Sequence, residues 1–221
     1  MKLNVLYEDN HLIVVEKSAG MLVQGDKTGD PNLMDEVKKY LKEKYKKPGN
    51  VFLGLVHRLD RPVGGVVLFA KTSKGASRLS AQWRERSVEK YYYAVVAGKM
   101  EKAEGEIVSF LKKDEKKNLV EVFNREMPGT KRAELFWEVE KVGDKNSLLK
   151  IKLGTGRAHQ IRAQLASANH PILGDIKYGA PEPLADKSIA LFSASLSFTS
   201  ATGEKSETVE LPWPKVWEKY L

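Results

Sequence analysis

The 221-residue sequence predicts an α+β protein built on a mixed, largely antiparallel sheet. Three observations carry this. Strand-like segments far outnumber helical ones, they follow one another in runs, and turn signals such as Gly143-Asp144 fall between them. A doubly wound sheet would instead alternate strand and helix along the whole chain.

The elements can be justified in order. "VLYEDNHLIVVEKSAGMLV" gives two short strands around Glu8-Asp9-Asn10, with Gly20 as a turn. "NLMDEVKKYLKEKYKK", residues 32–47, predicts a helix with Asn32 as N-cap and Leu33, Val37, Tyr40 and Leu41 on one apolar face. Its lysines at 38, 39, 42, 44, 46 and 47 form a solvated face, and Pro48-Gly49-Asn50 ends it. The run Val66–Lys71 reads as a buried strand, and "TSKGASRLSAQWRERS" returns Ala76, Leu79 and Trp83 at helical spacing. "EKYYYAVVAGK", "EGEIVSFL", "LVEVFN", "RAELFWEVEKV", "NSLLKIKL" and "IALFSASLSFTS" are strands, and "AHQIRAQLASANH" is a short helix. No repeat, low-complexity linker or domain boundary is visible.

Composition narrows the function classes. Apolar residues make up 42% and charged residues 30%, as in an ordinary globular chain. No apolar run reaches bilayer length and early acidic residues disfavour a signal peptide, so the expected setting is the cytoplasm, with no membrane partner. The absence of cysteine excludes disulfides and thiolate metal sites. The net charge of +8 fits a polyanionic partner, although lysine-rich faces also serve solubility alone.

Two segments concentrate chemistry. In "LVHRLDRPVGGVVLFAKTSKGA", His57, Arg58, Asp60 and Arg61 fall within five positions at the mouth of an apolar strand. Charge there is costly unless paired or used. His57 with Asp60 suggests a metal-dependent phosphohydrolase, but the flanking arginines repel a cation and no second ligand cluster follows, so no metal is expected. Phosphate-loop, dinucleotide and nucleophile-elbow motifs are absent. The second segment, "LGTGRAHQIRAQLASANHPILGDIKYG", places Arg157, His159, Gln160 and Arg162 at a strand-to-helix junction. Taken alone it is an exposed first turn or an anion site. If Asp60 and Arg162 are partners, each answers the other's burial cost.

Together, "HRLDRPVGGVVLFAKT", "EKYYYAVVAGK" and "GRAHQIRAQLASANHPILGDIKYG" resemble, in order and separation, the three signature segments of the RluA-type RNA pseudouridine synthases. The likeness extends to the first and last strands. It implies a largely antiparallel fold with a central RNA-binding catalytic cleft, and isomerisation of uridine to pseudouridine in RNA without cofactor or metal. It also implies Asp60 as the catalytic aspartate, Tyr92 as the family's tyrosine and Arg162 as the arginine paired with Asp60. Arg58, Arg157, His57 and Arg61 are the RNA-binding candidates. Arg58 and Arg157 read equally as cleft scaffolding, and His57 and His159 as hydrogen-bonded structural residues. Strand alternation puts Tyr91 and Tyr93 on one face, where packing explains them, and Tyr92 on the other.

Three departures from the family pattern are mild: Ser18 where proline is usual, Pro62-Val63-Gly64-Gly65 after Asp60, and Phe192 where histidine is frequent. The expected organisation is one catalytic domain over residues 1–221, without a separate N-terminal RNA-binding domain, acting as a monomer. The expected partner is a structured RNA, a ribosomal or transfer RNA stem-loop. A catalytically silent RNA-binding module is the main rival, and the intact Asp60, Tyr92 and Arg162 argue against it.

Overall fold

The computed structural model describes residues 3–203 and 205–221. The chain divides into two compact units, residues 1–89 with 193–211, and residues 90–192 with 212–221.

The chain enters the first unit through β1 (Val5–Glu8), β2 (Leu12–Lys17), α1 (Leu33–Lys44), β3 (Gly54–Leu55), β4 (Gly64–Ala70) and α2 (Ser73–Glu85). β2 pairs antiparallel with both β1 and β4, and β3 adds to β4. Both helices start where a side chain satisfies an otherwise unpaired N–H. Asn32 accepts from the Asp35 N–H at 3.1 Å, and Thr72 accepts from the Gly75 N–H at 3.1 Å. Leu33, Val37 and Leu41 turn the apolar stripe of α1 inward. Tyr40, expected on that stripe, instead donates its hydroxyl to Glu8 Oε2 at 3.1 Å. α2 buries Leu79 and stops at Arg86, whose left-handed φ of 58° ends the helical path.

The second unit runs through β5 (Glu89–Ala97), β6 (Glu104–Asp114), β7 (Leu119–Phe123), β8 (Lys131–Val142), β9 (Asn146–Leu153) and α3 (Gln160–Ser167). Its strands lie in the order β5-β9-β8-β6-β7, all antiparallel. The register aligns Tyr92 with Ile151, Ile151 with Trp137, and Trp137 with Gly105. The Trp137 ring lies over Gly105, where an added Cβ would come within 2.6 Å of it. α3 covers β6 and β7 around Leu111, Val120, Ala133 and Ala163.

The chain then returns to the first unit. Ser193–Thr199 of β10 (Leu191–Thr199) lie beside β4, and β11 (Ser206–Glu210) pairs antiparallel with β10. The core of this unit gathers Leu12, Val14, Val66, Leu68, Leu79 and Phe198. Every residue of β4 is buried, which is why its sequence is a continuous apolar run rather than an alternating one. Gly65 adopts a φ of +117°, and a Cβ there would stand 2.1 Å from the Ser193 carbonyl oxygen. Only glycine allows that approach. The fold is therefore α+β and mostly antiparallel, as predicted. The strand expected at Val66–Lys71 starts two residues earlier, at Gly64. The two-residue β3 carries no period long enough to read in the sequence.

Candidate active site

In the first unit, Asp60 is half-buried at the head of a turn closed by the Val63 N–H donating to the Asp60 carbonyl at 3.0 Å. The turn is fastened to the segment that follows β2. Arg61 Nε donates to the Gly20 carbonyl at 3.0 Å, the Gly20 N–H donates back to the Arg61 carbonyl at 2.8 Å, and Arg61 pairs with Asp30 at 2.7 Å. Beneath lies Lys17, the last residue of β2 and only 1% exposed. Its ammonium donates to the carbonyls of Met21 at 2.7 Å, and of Ser18 and Arg61 at 3.1 Å. Burial pulls the Lys17 pKa down to about 8; the Asp60 charge partly offsets this, and the Arg61 charge adds to it.

His57 faces inward. Its Nε2 accepts from the Leu68 N–H at 3.0 Å, so this nitrogen is unprotonated, and its ring stacks on Trp83 at 4.9 Å. Arg58 is exposed. The first unit thus brings together His57, Asp60 and Arg61 in one turn region with Lys17, a residue that the sequence analysis did not single out.

The second unit carries the rest. Tyr92 is 9% exposed, in the row with Ile151 and Trp137. Tyr91 and Tyr93, expected to pack, are only half-buried, and the ammonium groups of Lys150 and Lys152 each stand 5.5 Å from the centre of the Tyr91 ring. An open groove of about 570 Å³ is lined by Tyr91, Phe136, Trp137, Glu104, Glu106, Glu138, Lys150 and Lys152 among others. Its three carboxylates outnumber its two lysines, so it offers no excess positive charge to a phosphate chain.

The loop between β9 and α3 is pinned to β8. Gln160 accepts from the Thr155 hydroxyl at 2.7 Å and the Arg157 N–H at 3.0 Å, and donates to the Glu134 carbonyl at 2.9 Å. Arg157 Nε donates to the Arg132 carbonyl at 3.1 Å. His159 takes a left-handed φ of 49° just before α3, and its Nδ1 shares a 2.8 Å hydrogen bond with the Tyr178 hydroxyl. Arg162, 6% exposed, forms a two-point ion pair with Asp175: Nε to Oδ2 at 2.7 Å and NH2 to Oδ1 at 2.8 Å. Its guanidinium also stands 5.1 Å from the centre of the Tyr178 ring. Asp175 and Tyr178 were not singled out from sequence, although "GDIKYG" lies inside the segment that drew attention. Among the described residues, no group of three or more His, Asp and Glu side chains is disposed to hold a metal ion. No helix among them is long and apolar enough to cross a membrane.

The first unit thus offers a half-buried carboxylate on a braced turn, and the second a buried tyrosine and a buried arginine held by a carboxylate. The sequence profile of the RNA pseudouridylate synthase family matches residues 11–167. The chain belongs to that family, and with it to the isomerases that convert uridine to pseudouridine in RNA. It is 30% identical to the ribosomal large subunit pseudouridine synthase C of Vibrio vulnificus, over 98% of this chain and 68% of that protein. It is 34% identical to an RNA pseudouridine synthase of Aquifex aeolicus, over 80% of this chain and 56% of that one. The chain spans between 54% and 68% of the length of the first five relatives, all ribosomal large subunit synthases. The human RNA pseudouridylate synthase domain containing 4 shares the fold, with a TM-score of 0.80 at 21% identity over 97% of this chain and 90% of that one.

Proposed function

We propose that this chain isomerises specific uridines in ribosomal large-subunit RNA, with Asp60 as its catalytic carboxylate. The family match across residues 11–167, which contains the Asp60, Tyr92 and Arg162 segments, carries the reading. The names of the bacterial relatives support the choice of RNA.

The reaction breaks the bond from the ribose carbon to the ring nitrogen and makes a bond from that carbon to a ring carbon. The ring carbon then loses a proton and the nitrogen gains one, so mass is unchanged. A stacked uridine is out of reach of any side chain, so the base must be flipped out or taken from a loop. Asp60 acts at the glycosidic carbon, and the bracing of its turn by Lys17, Gly20 and Asp30 gives the carboxylate a fixed origin. Arg162 takes the role of the arginine in the family's Gly-Arg-x-His-Gln-Ile-Arg segment, that of directing the catalytic carboxylate. Tyr92 stacks on the flipped base and its hydroxyl serves the proton transfer. Arg58 and Arg157 contact phosphates, while His57 and Arg61 shape the turn between them. Residues 1–221 serve as one catalytic domain.

The test is incubation of the purified protein with transcribed large-subunit RNA, followed by carbodiimide labelling and mapping of the marked uridines. New marks that vanish with Asp60→Ala, while RNA binding falls only a few-fold because phosphate contacts remain, are expected. Absence of new marks on that RNA, or a clearly active Asp60→Ala protein, refutes the proposal.

A further inference from the structure

Arg162 poses a physical problem: a guanidinium 6% exposed is tolerable only with a well-made counterion. Asp175 meets that need. Its carboxylate is 1% exposed and binds the Nε–NH2 edge of the guanidinium at two points. Because the guanidinium is a rigid plane with five N–H groups, fixing that edge also fixes the direction in which the NH1 end points.

Asp175 is itself held firmly. Its N–H donates to the Ile172 carbonyl at 3.0 Å, and its carbonyl accepts from the N–H groups of Tyr178 at 2.9 Å and Ala180 at 3.0 Å. The preceding Gly174 has a φ of +82°, and a Cβ there would fall 2.7 Å from the Ser188 carbonyl, so the chain is closely packed at this point. Tyr178 adds the other wall. Its ring faces the Arg162 guanidinium, and its hydroxyl accepts from the Val120 N–H at 2.9 Å besides bonding to His159. The ion pair thus ties α3 to the 175–180 turn and, through Tyr178, to β7.

We propose that Asp175 is a positioning residue of the reaction: it aims Arg162, the arginine assigned to the reaction above. The inference rests on the assignment of Arg162 to the reaction made above. With Asp175 only 1% exposed, its effect runs through Arg162 rather than through direct contact with RNA.

A double-mutant cycle tests it, reading single-turnover rate and RNA Kd on the purified chain, with circular dichroism to confirm folding. Asp175→Asn is expected to lower the rate by roughly tenfold or more and to leave Kd within a few-fold. In an Arg162→Lys background the same substitution should cost less than about twofold further, because the group it aims has gone. A folded Asp175→Asn protein at full rate overturns the inference, as does a loss that persists undiminished beside Arg162→Lys. If Asp175→Asn fails to fold, Asp175→Glu decides. It keeps the charge but moves it by one methylene, so a folded variant with unchanged Kd and lowered rate supports the inference, and full rate overturns it. If Arg162→Lys alone is fully active, the failure lies in the assignment of Arg162.

Discussion

Lys17 Nζ donates to the carbonyl oxygen of Arg61, 3.1 Å away, the same oxygen that accepts from the Gly20 N–H at 2.8 Å. One buried cation thereby anchors the residue next to Asp60. Three carbonyls satisfy the three protons of its ammonium, which is how a lysine survives at this depth.

The burial of Lys17 sets a pH dependence. Its folded-state pKa is about 8, against an ordinary value of 10.5. Between these values the unfolded chain holds a proton that the folded chain has released, so this group makes stability rise with pH. Relative to Lys17→Met, the wild type should gain about 3 kcal/mol from pH 7.5 to pH 10.5 in urea melts. Nuclear magnetic resonance of labelled lysine side chains should show one resonance titrating near 8. If all lysines titrate together near 10.5, the prediction fails.

Tyr92 separates a ring role from a hydroxyl role. Tyr92→Phe keeps the stacking surface and removes only the oxygen. Single-turnover rate should fall on the order of a hundredfold or more if the hydroxyl moves a proton. RNA affinity should stay within a few-fold. A near-normal rate would leave Tyr92 as a stacking platform alone.

Glu8 should behave oppositely to Lys17 along the pH axis. Burial pushes its carboxyl up, but hydrogen bonds from Lys44, Lys71 and Tyr45 outweigh that and hold it at about 2. The stabilisation is present above the ordinary 4.5 and is lost as pH falls toward 2. Glu8→Gln should cost roughly 1–3 kcal/mol at pH 7, since it strands the ammonium of Lys71, itself largely buried. Urea melts of the two proteins should converge as pH falls from 4.5 to 2; a constant gap across that range would count against it.

Two glycines with positive φ should respond very differently to alanine. Gly65→Ala forces a Cβ to 2.1 Å from the Ser193 carbonyl, and should destabilise by about 3 kcal/mol or more. Gly20→Ala meets nothing within 4 Å and should cost only about 1 kcal/mol. Equal urea midpoints for the two variants would show that close approach is not what selects Gly65.

Much of the fold was legible because its elements are long and periodic. The helix start at Asn32 could be read from a capping side chain followed by an apolar stripe, and the strand "NSLLKIKL" coincides with β9. The outward turn of Tyr40 toward Glu8 could not be read, because it depends on a carboxylate 32 residues away. The same limit applies to the site. Asp60 and Arg162 stand out through local motifs, whereas Lys17 and Asp175 act through partners that only folding supplies. Nothing within "EKS" announces that Lys17 reaches a carbonyl 44 residues further on. Tyr92 fell between these cases: alternation correctly set it apart from its neighbours, but not that it is the most buried of the three.

The two units are interleaved along the chain, since Ser193–Leu211 complete the unit that the first 89 residues begin. The Ser193 hydroxyl donates to the Val66 carbonyl across 127 positions of sequence. A ribosome making this protein therefore exposes β4, apolar along its whole length, well before its neighbour β10 exists. Folding of the first unit has to wait until residues 193–211 have left the exit tunnel, and the long loop closure that follows favours slow, late assembly. During that interval "GGVVLFA" leaves an apolar strand edge without its β10 neighbour, a feature that favours aggregation.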